Sequence, residues 1–120
     1  MIDFVIEGDI PCLKNSIRVG KGGRFYHQDN AVKHYKEAFA LLCPRSAKKC
    51  LTDPVEVILH IYKKDNRKDA VNLQGIIYDC LQSAGVIKND RQIVDWHCYS
   101  SIDKKNPRVR CEVTKINEAD

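Results

Sequence analysis

The chain has 120 residues, 43% apolar and 30% charged, with a formal net charge of +4. A chain of this size and composition can bury a core without staples, which excludes wholesale disorder and a disulfide-dependent miniprotein. No apolar run approaches the ~20 residues that a spanning helix needs, so no membrane partner is expected.

The opening MIDFVIEGDIP has charges inside its apolar stretch and no basic lead-in. It reads as a strand over 2–7 and not as a signal peptide, and a cytoplasmic location is expected. Residues 8–28, broken by Gly8, Pro11, Gly20, Gly22 and Gly23, read as a loop or loose hairpin, with RFYH as a possible short strand. In residues 30–43 Val32, Tyr35, Phe39 and Leu42 recur at helical spacing and Pro44 ends the run, which predicts a helix. A basic connector over 45–53 leads to PVEVILHIY at 54–62. There Val55, Val57, Leu59 and Ile61 alternate with Glu56, Ile58, His60 and Tyr62, which predicts a strand. A second helix is predicted over about 69–84. Strands at 92–102 and 108–116 flank the turn DKKNP and read as a hairpin.

This order predicts one α+β domain over residues 1–120, with a mixed or antiparallel sheet, two main helices and a helical layer on one or both faces. The six cysteines are scattered, with no CxxC and no histidine pair at zinc-finger spacing, so reduced thiols are expected. Cys12, Ser16 and His27 form no oriented nucleophile and base.

The positive charge is clustered. Lys14, Arg18, Lys21 and Arg24 fall in one glycine-containing stretch, and Lys63, Lys64, Arg67 and Lys68 in another. Such clusters suit a polyanion, although each taken alone fits a soluble surface equally well.

The second helix joins these charges to acids. At 100° per residue Leu73, Ile76, Ile77, Cys80, Leu81 and Ala84 form one apolar stripe. Asn72 and Asp79, seven apart, differ by only about 20° and lie along its edge, with Asp69 on the adjoining line. Gly85 suits the position that ends a helix. The return through VIKND is expected to carry Asp90 back towards the sheet and the helix edge. Ordinary readings exist for each: Asp69 as a helix cap, Asp79 and Asn72 as solvated residues, Asp90 as a turn residue. Converging carboxylates beside basic residues would instead suit Mg²⁺ and a phosphate.

Residues 66–95 carry RKDAVN, LQGIIYDCLQSAGVI and KNDRQIV. This constellation resembles the RusA-type Holliday junction resolvases, small endonucleases common in prophages. Pro11, Asn15, Arg24, Tyr26 and the strand after Pro107 echo the same family more weakly. By position, Asp69 resembles the first catalytic aspartate, Asp90 the last, Asn72 the motif's asparagine and Asp79 the helix's second acid. The resemblance implies a RusA-like fold and a homodimer that binds four-way DNA junctions and nicks two strands symmetrically in recombination and repair. It implies dependence on Mg²⁺, with Mn²⁺ as a substitute. Asp69 and Asp90 would hold the metal, Asp79 would assist or orient a water, and Asn72 would support them by hydrogen bonding. Three positions depart from the family pattern: its second aspartate is Val71 here, its helix lysine is Gly75, and the first acid of its Asp-Asp pair is Asn89. A junction-binding protein without cleavage is therefore the alternative, and an interaction domain whose acids are only caps is the third reading.

Overall fold

The computed structural model describes residues 1–11, 17–19, 25–27 and 31–116, with backbone alone in the two short internal stretches. Lys14, Lys21 and Arg24, with Cys12, Asn15 and Ser16, lie outside the described residues, and for Arg18 and His27 only the backbone is described.

The elements are β1 (Ile2–Glu7), β2 (Ile17–Val19), β3 (Phe25–His27), α1 (Ala31–Leu42), β4 (Val55–Lys63), α2 (Ala70–Ser83), β5 (Ile93–Ile102) and β6 (Arg108–Lys115). Single 3₁₀ turns at Arg45–Ala47 and Asp90–Gln92 follow the two helices. The main sheet runs β1-β6-β4-β5. β6 is antiparallel to both β1 and β4, whereas β5 is parallel to β4, so the sheet is mixed and the domain α+β. β2 and β3 pair as a separate antiparallel ribbon, in keeping with the loose hairpin.

The predicted β5–β6 hairpin does not form. The chain leaves β5 at one edge, passes over β4 and inserts β6 between β4 and β1. The alternating side chains of β6 explain the choice. Val109, Cys111 and Val113 are fully buried and need strands on both sides, a place the sheet edge cannot supply. β5 is left as the edge, with a pattern that is mostly exposed.

The core lies between one sheet face and the helices. From the sheet come Ile2, Phe4, Ile6, Val55, Val57, Leu59, Ile61, Val109, Cys111 and Val113. The predicted stripe of α2 meets them, with Leu73, Ile76, Ile77, Cys80, Leu81 and Ala84 all buried. Each such aliphatic side chain contributes about 1.5–3 kcal/mol when fully buried. In α1, Phe39 is completely buried and meets Phe4 edge-on at 5.9 Å. Leu42, expected on the same face, is exposed, and Cys43 takes the buried position. Gly85 ends α2 at φ 83°, the left-handed conformation that favours glycine. Val86 and Ile87 then plug the core, and Ile87 bridges to Leu51.

The five described cysteines are free thiols, as expected. Burial pushes the Cys80 thiol up to about 12 and raises Cys43, Cys98 and Cys111 as well, so none of these four is a ready nucleophile. Among the described residues no helix is long and apolar enough to cross a membrane.

Candidate functional site

α2 positions the acids through its two ends. Asp69 is its N-cap, with extended backbone and a carboxylate that accepts a long 3.3 Å hydrogen bond from the Val71 N–H. The free N–H groups and positive dipole end of the helix favour an anion here. Asp69 stays exposed, so its oxygens retain acceptor capacity.

Asp90 is anchored at the opposite end. Its backbone N–H donates to Gln82 Oε1 at 3.0 Å. Asn89 caps the 3₁₀ turn by accepting from the Arg91 N–H, and Gln92 Oε1 accepts from the N–H of Asn89 at 2.7 Å. The Gln92 amide also donates to the carbonyls of Leu51 and Asp53, which pins the turn to the segment that leads into β4. The sequence signal for this box was present as Asn89 followed three residues later by Gln92.

The helix between them decides the geometry. At about 1.5 Å per residue, Gln82 stands roughly 20 Å along the axis from Asp69. The Gln82 side chain leans back towards the N-terminus by only a few ångströms. Two oxygens on one Mg²⁺ are at most about 4.2 Å apart, because each Mg–O bond is about 2.1 Å. Asp90 thus returns to α2 and the start of β5, as expected, but at the end of the helix opposite Asp69. The chain does reverse after Gly85, but Val86 and Ile87 are buried where they stand and hold the turn at the far end of α2.

Asp79 is also not free. Its carboxylate accepts from Lys36 Nζ of α1 at 2.9 Å, an ion pair that ties the two helices. The sequence reading missed Lys36 because the pair joins residues 43 apart. Asn72 is half-buried beside Asp69 and donates its backbone N–H to the Asp69 carbonyl. No side-chain hydrogen bond of Asn72 occurs among the described residues.

The second basic cluster divides into two kinds. Lys63 is 9% exposed, and its Nζ donates to the Lys68 carbonyl at 3.0 Å. Lys68 Nζ donates to Asp9 Oδ2 at 2.6 Å and to the Ile10 carbonyl. These two lysines fold the loop before α2 onto the segment after β1, and their ammonium groups already make these internal bonds. Lys64 is exposed, and the Arg67 side chain is 90% exposed, with its nearest acid, Asp65, at 3.8 Å. Among the described residues the start of α2 therefore presents two exposed cations, a helix N-terminus and the accessible carboxylate of Asp69.

The departures in the motif all face outward. Val71 is 73% exposed. A Cβ added at Gly75 would meet nothing within 4 Å. A cleft of about 430 Å³ opens elsewhere, between α1 and Ser83 at the end of α2, and none of the acids singled out in the sequence lines it.

A family model described as Endodeoxyribonuclease RusA matches residues 11–114. No curated protein matches the chain.

Proposed function

Since the chain belongs to the RusA endodeoxyribonuclease family, we propose that it is a structure-selective DNA endonuclease that cuts four-way junctions as a Mg²⁺-dependent homodimer. The observation that carries the dimer is the placement of Asp69 and Asp90 at opposite ends of α2. Two copies of a helix related by a two-fold axis perpendicular to it run antiparallel. The N-terminal end of one then lies beside the C-terminal end of the other, and Asp69 meets Asp90 of the second copy twice over.

The level of the axis follows from the residue numbers. Asp69 must face the level of Gln82 in the other copy, so the crossing lies midway, at Gly75 and Ile76. Gly75 is the residue of α2 without a side chain, it faces outward, and the space above it is open. Val71, Gly75, Tyr78 and Gln82 lie within about 60° of one another on that side. Beyond them the edge strand β5 extends the surface with Val94, Trp96 and Ile102, each more than half exposed. An open strand edge flanked by large apolar side chains is a surface that proteins normally cover.

The donors fit Mg²⁺ as a pair from two chains and not within one. Both are accessible, hard carboxylate oxygens, and Mg²⁺ is held by one or two of these with water and phosphate oxygens completing its shell. The bound ion supplies an activated water and stabilises charge developing on the phosphate. The chain's own residues do the rest. Lys64 and Arg67 hold flanking phosphates, and the cluster Lys14, Arg18, Lys21 and Arg24 extends the contact. The α2 N-terminus draws the scissile phosphate towards Asp69. Asn72 positions Asp69 by hydrogen bonding, and Asp79 keeps α2 registered on α1 through Lys36.

Val71 favours a second reading, a junction-binding protein that does not cut, because its methyl groups stand where the family pattern places a carboxylate ligand. A labelled synthetic four-way junction beside linear duplex, with and without Mg²⁺ or Mn²⁺, separates the two. Paired metal-dependent nicks on the junction are expected. Tight junction binding with no nicking in either metal would leave the binding reading in place, and equal affinity for both DNAs would remove junction selectivity.

A further inference from the structure

Three metal-ligating side chains meet on the sheet face turned away from the helices, at the start of β4 and β5. Glu56 lies directly opposite Asp95 in the parallel register, and His97 follows two residues later on the same face. The register shifts between Val55 and Glu56, so that Val94 is passed over and Asp95 is brought opposite Glu56. Like charges placed directly opposite on neighbouring strands repel. Among the described residues no lysine or arginine relieves this pair. The group that faces both is the His97 ring, with Nε2 3.3 Å from Asp95 Oδ1 and 3.8 Å from Glu56 Oε2.

Those separations have a metal's dimensions. Neither contact is a hydrogen bond, so the imidazole nitrogen lies between the two carboxylates without committing to either. Ligand atoms about 2.1 Å from a tetrahedral ion are about 3.4 Å from one another. The two histidine distances bracket that edge, and one oxygen from each acid and the nitrogen all lie within 4.8 Å of one another. Glu56 is half-buried, whereas Asp95 and His97 are exposed, which leaves room for a water to complete the shell.

We propose that Glu56, Asp95 and His97 form a second metal site, distinct from the acids of α2, which takes a first-row divalent cation of the zinc class. An imidazole donor beside two carboxylates favours such ions over Mg²⁺, which prefers an all-oxygen shell. The site ties edge strand β5 to β4. A cation that binds the folded chain and not the unfolded one raises its stability by mass action.

The test uses the full-length, untagged chain stripped with EDTA. Calorimetric titration with ZnCl₂ should show one equivalent bound, and the thermal midpoint should rise with Zn²⁺. His97→Gln should weaken binding at least tenfold and abolish the midpoint shift, while Glu7→Gln, an exposed acid at the other end of the sheet, leaves both unchanged. Co²⁺ spectra should show nitrogen and oxygen ligation without the charge-transfer absorption of a thiolate, which excludes binding through exposed Cys50. If His97→Gln is poorly folded without metal, Asp95→Asn serves in its place. A wild type that binds no Zn²⁺, or substituted chains that bind it as well as wild type, would overturn the site.

Discussion

A nuclease site shared between two copies makes a prediction that a site within one chain cannot make. Asp69→Asn and Asp90→Asn should each abolish cleavage, and mixing the two inactive proteins should restore part of it. α2 sets Asp69 roughly 20 Å along its axis from Gln82, the residue that holds Asp90, against about 4 Å for two ligands of one ion. In a mixed dimer both substitutions then fall in the same site, and the other site has Asp69 and Asp90 intact. Random exchange at equal concentrations makes about half of the dimers mixed, each with one intact site of two, so about a quarter of all sites recover. Those dimers hold only one working site, so the junction should be nicked on one strand and not cut in pairs. The assay is single-turnover cleavage of an end-labelled junction in Mg²⁺ or Mn²⁺, after the two proteins have been mixed and exchange has been verified by a mass-tagged partner. Neither substitution touches the core, since both residues are exposed, and asparagine still caps a helix. If exchange is complete, both parents bind the junction and wild type cuts it, but the mixture stays inactive, the shared site is wrong.

Val71→Asp with Gly75→Lys should speed cleavage or lower the Mg²⁺ it needs. Replacing the open mid-helix glycine should also raise stability by up to about 1 kcal/mol, read by urea denaturation. No gain in cutting would show that the missing carboxylate and cation are not what limits it. Lys64→Ala with Arg67→Ala should flatten the salt dependence of junction binding by about 0.9 in log–log slope for each phosphate no longer neutralised. Lys63→Ala or Lys68→Ala should instead lower the unfolding midpoint, because their ammonium groups hold the loop together; an unchanged slope in the first pair would exclude its phosphate role. The Tyr35 hydroxyl is buried without a hydrogen-bond partner among the described residues, and burial raises its pKa strongly. Tyr35→Phe removes a stranded polar group and should stabilise the chain by about 1 kcal/mol in equilibrium unfolding; a loss of that size would reveal a partner for the hydroxyl.

What the sequence made legible was periodic. The alternation of β4, the stripe of α2 and the stop at Gly85 each follow from a local repeat or a single backbone requirement, and each stands where expected. The strand order did not follow, because hairpin formation and insertion between β1 and β4 begin with the same pattern of residues in β6. What separates them is how many neighbours that strand can bury, a property of the whole sheet. The acids show the same limit. Helical spacing correctly put Asn72 and Asp79 along one edge, but it carries no information about Lys36, which comes from another helix. The fate of Lys63 and Lys68 depended on the carbonyls that happen to face them, Lys68 and Ile10, and no charge count can supply that.

The three departures from the family pattern bear on chemistry and hardly on folding. Val71 points into solvent, Gly75 borders open space, and Asn89 is the cap of its 3₁₀ turn, where asparagine serves as well as aspartate. The fold therefore tolerates them, and stability measurements will not report on whether cutting survives. The electrostatics of the α2 N-terminus bears on the metal instead. Its dipole and the cations Lys64 and Arg67 attract phosphate but oppose a free metal ion, and the carboxylates of Asp65, 3.8 Å from Arg67, and of Asp69 at the cap offset them only in part. Without DNA the site should hold Mg²⁺ weakly. The phosphate brings the negative charge that the motif lacks, so metal and junction should bind with positive coupling, each raising the affinity of the other by the same factor. Titrating Mg²⁺ against the catalytically dead Asp90→Asn protein should show that coupling reduced, since a metal ligand is gone, whereas junction affinity without metal should hold or rise. Equal coupling in wild type and Asp90→Asn would place the metal somewhere other than at Asp90.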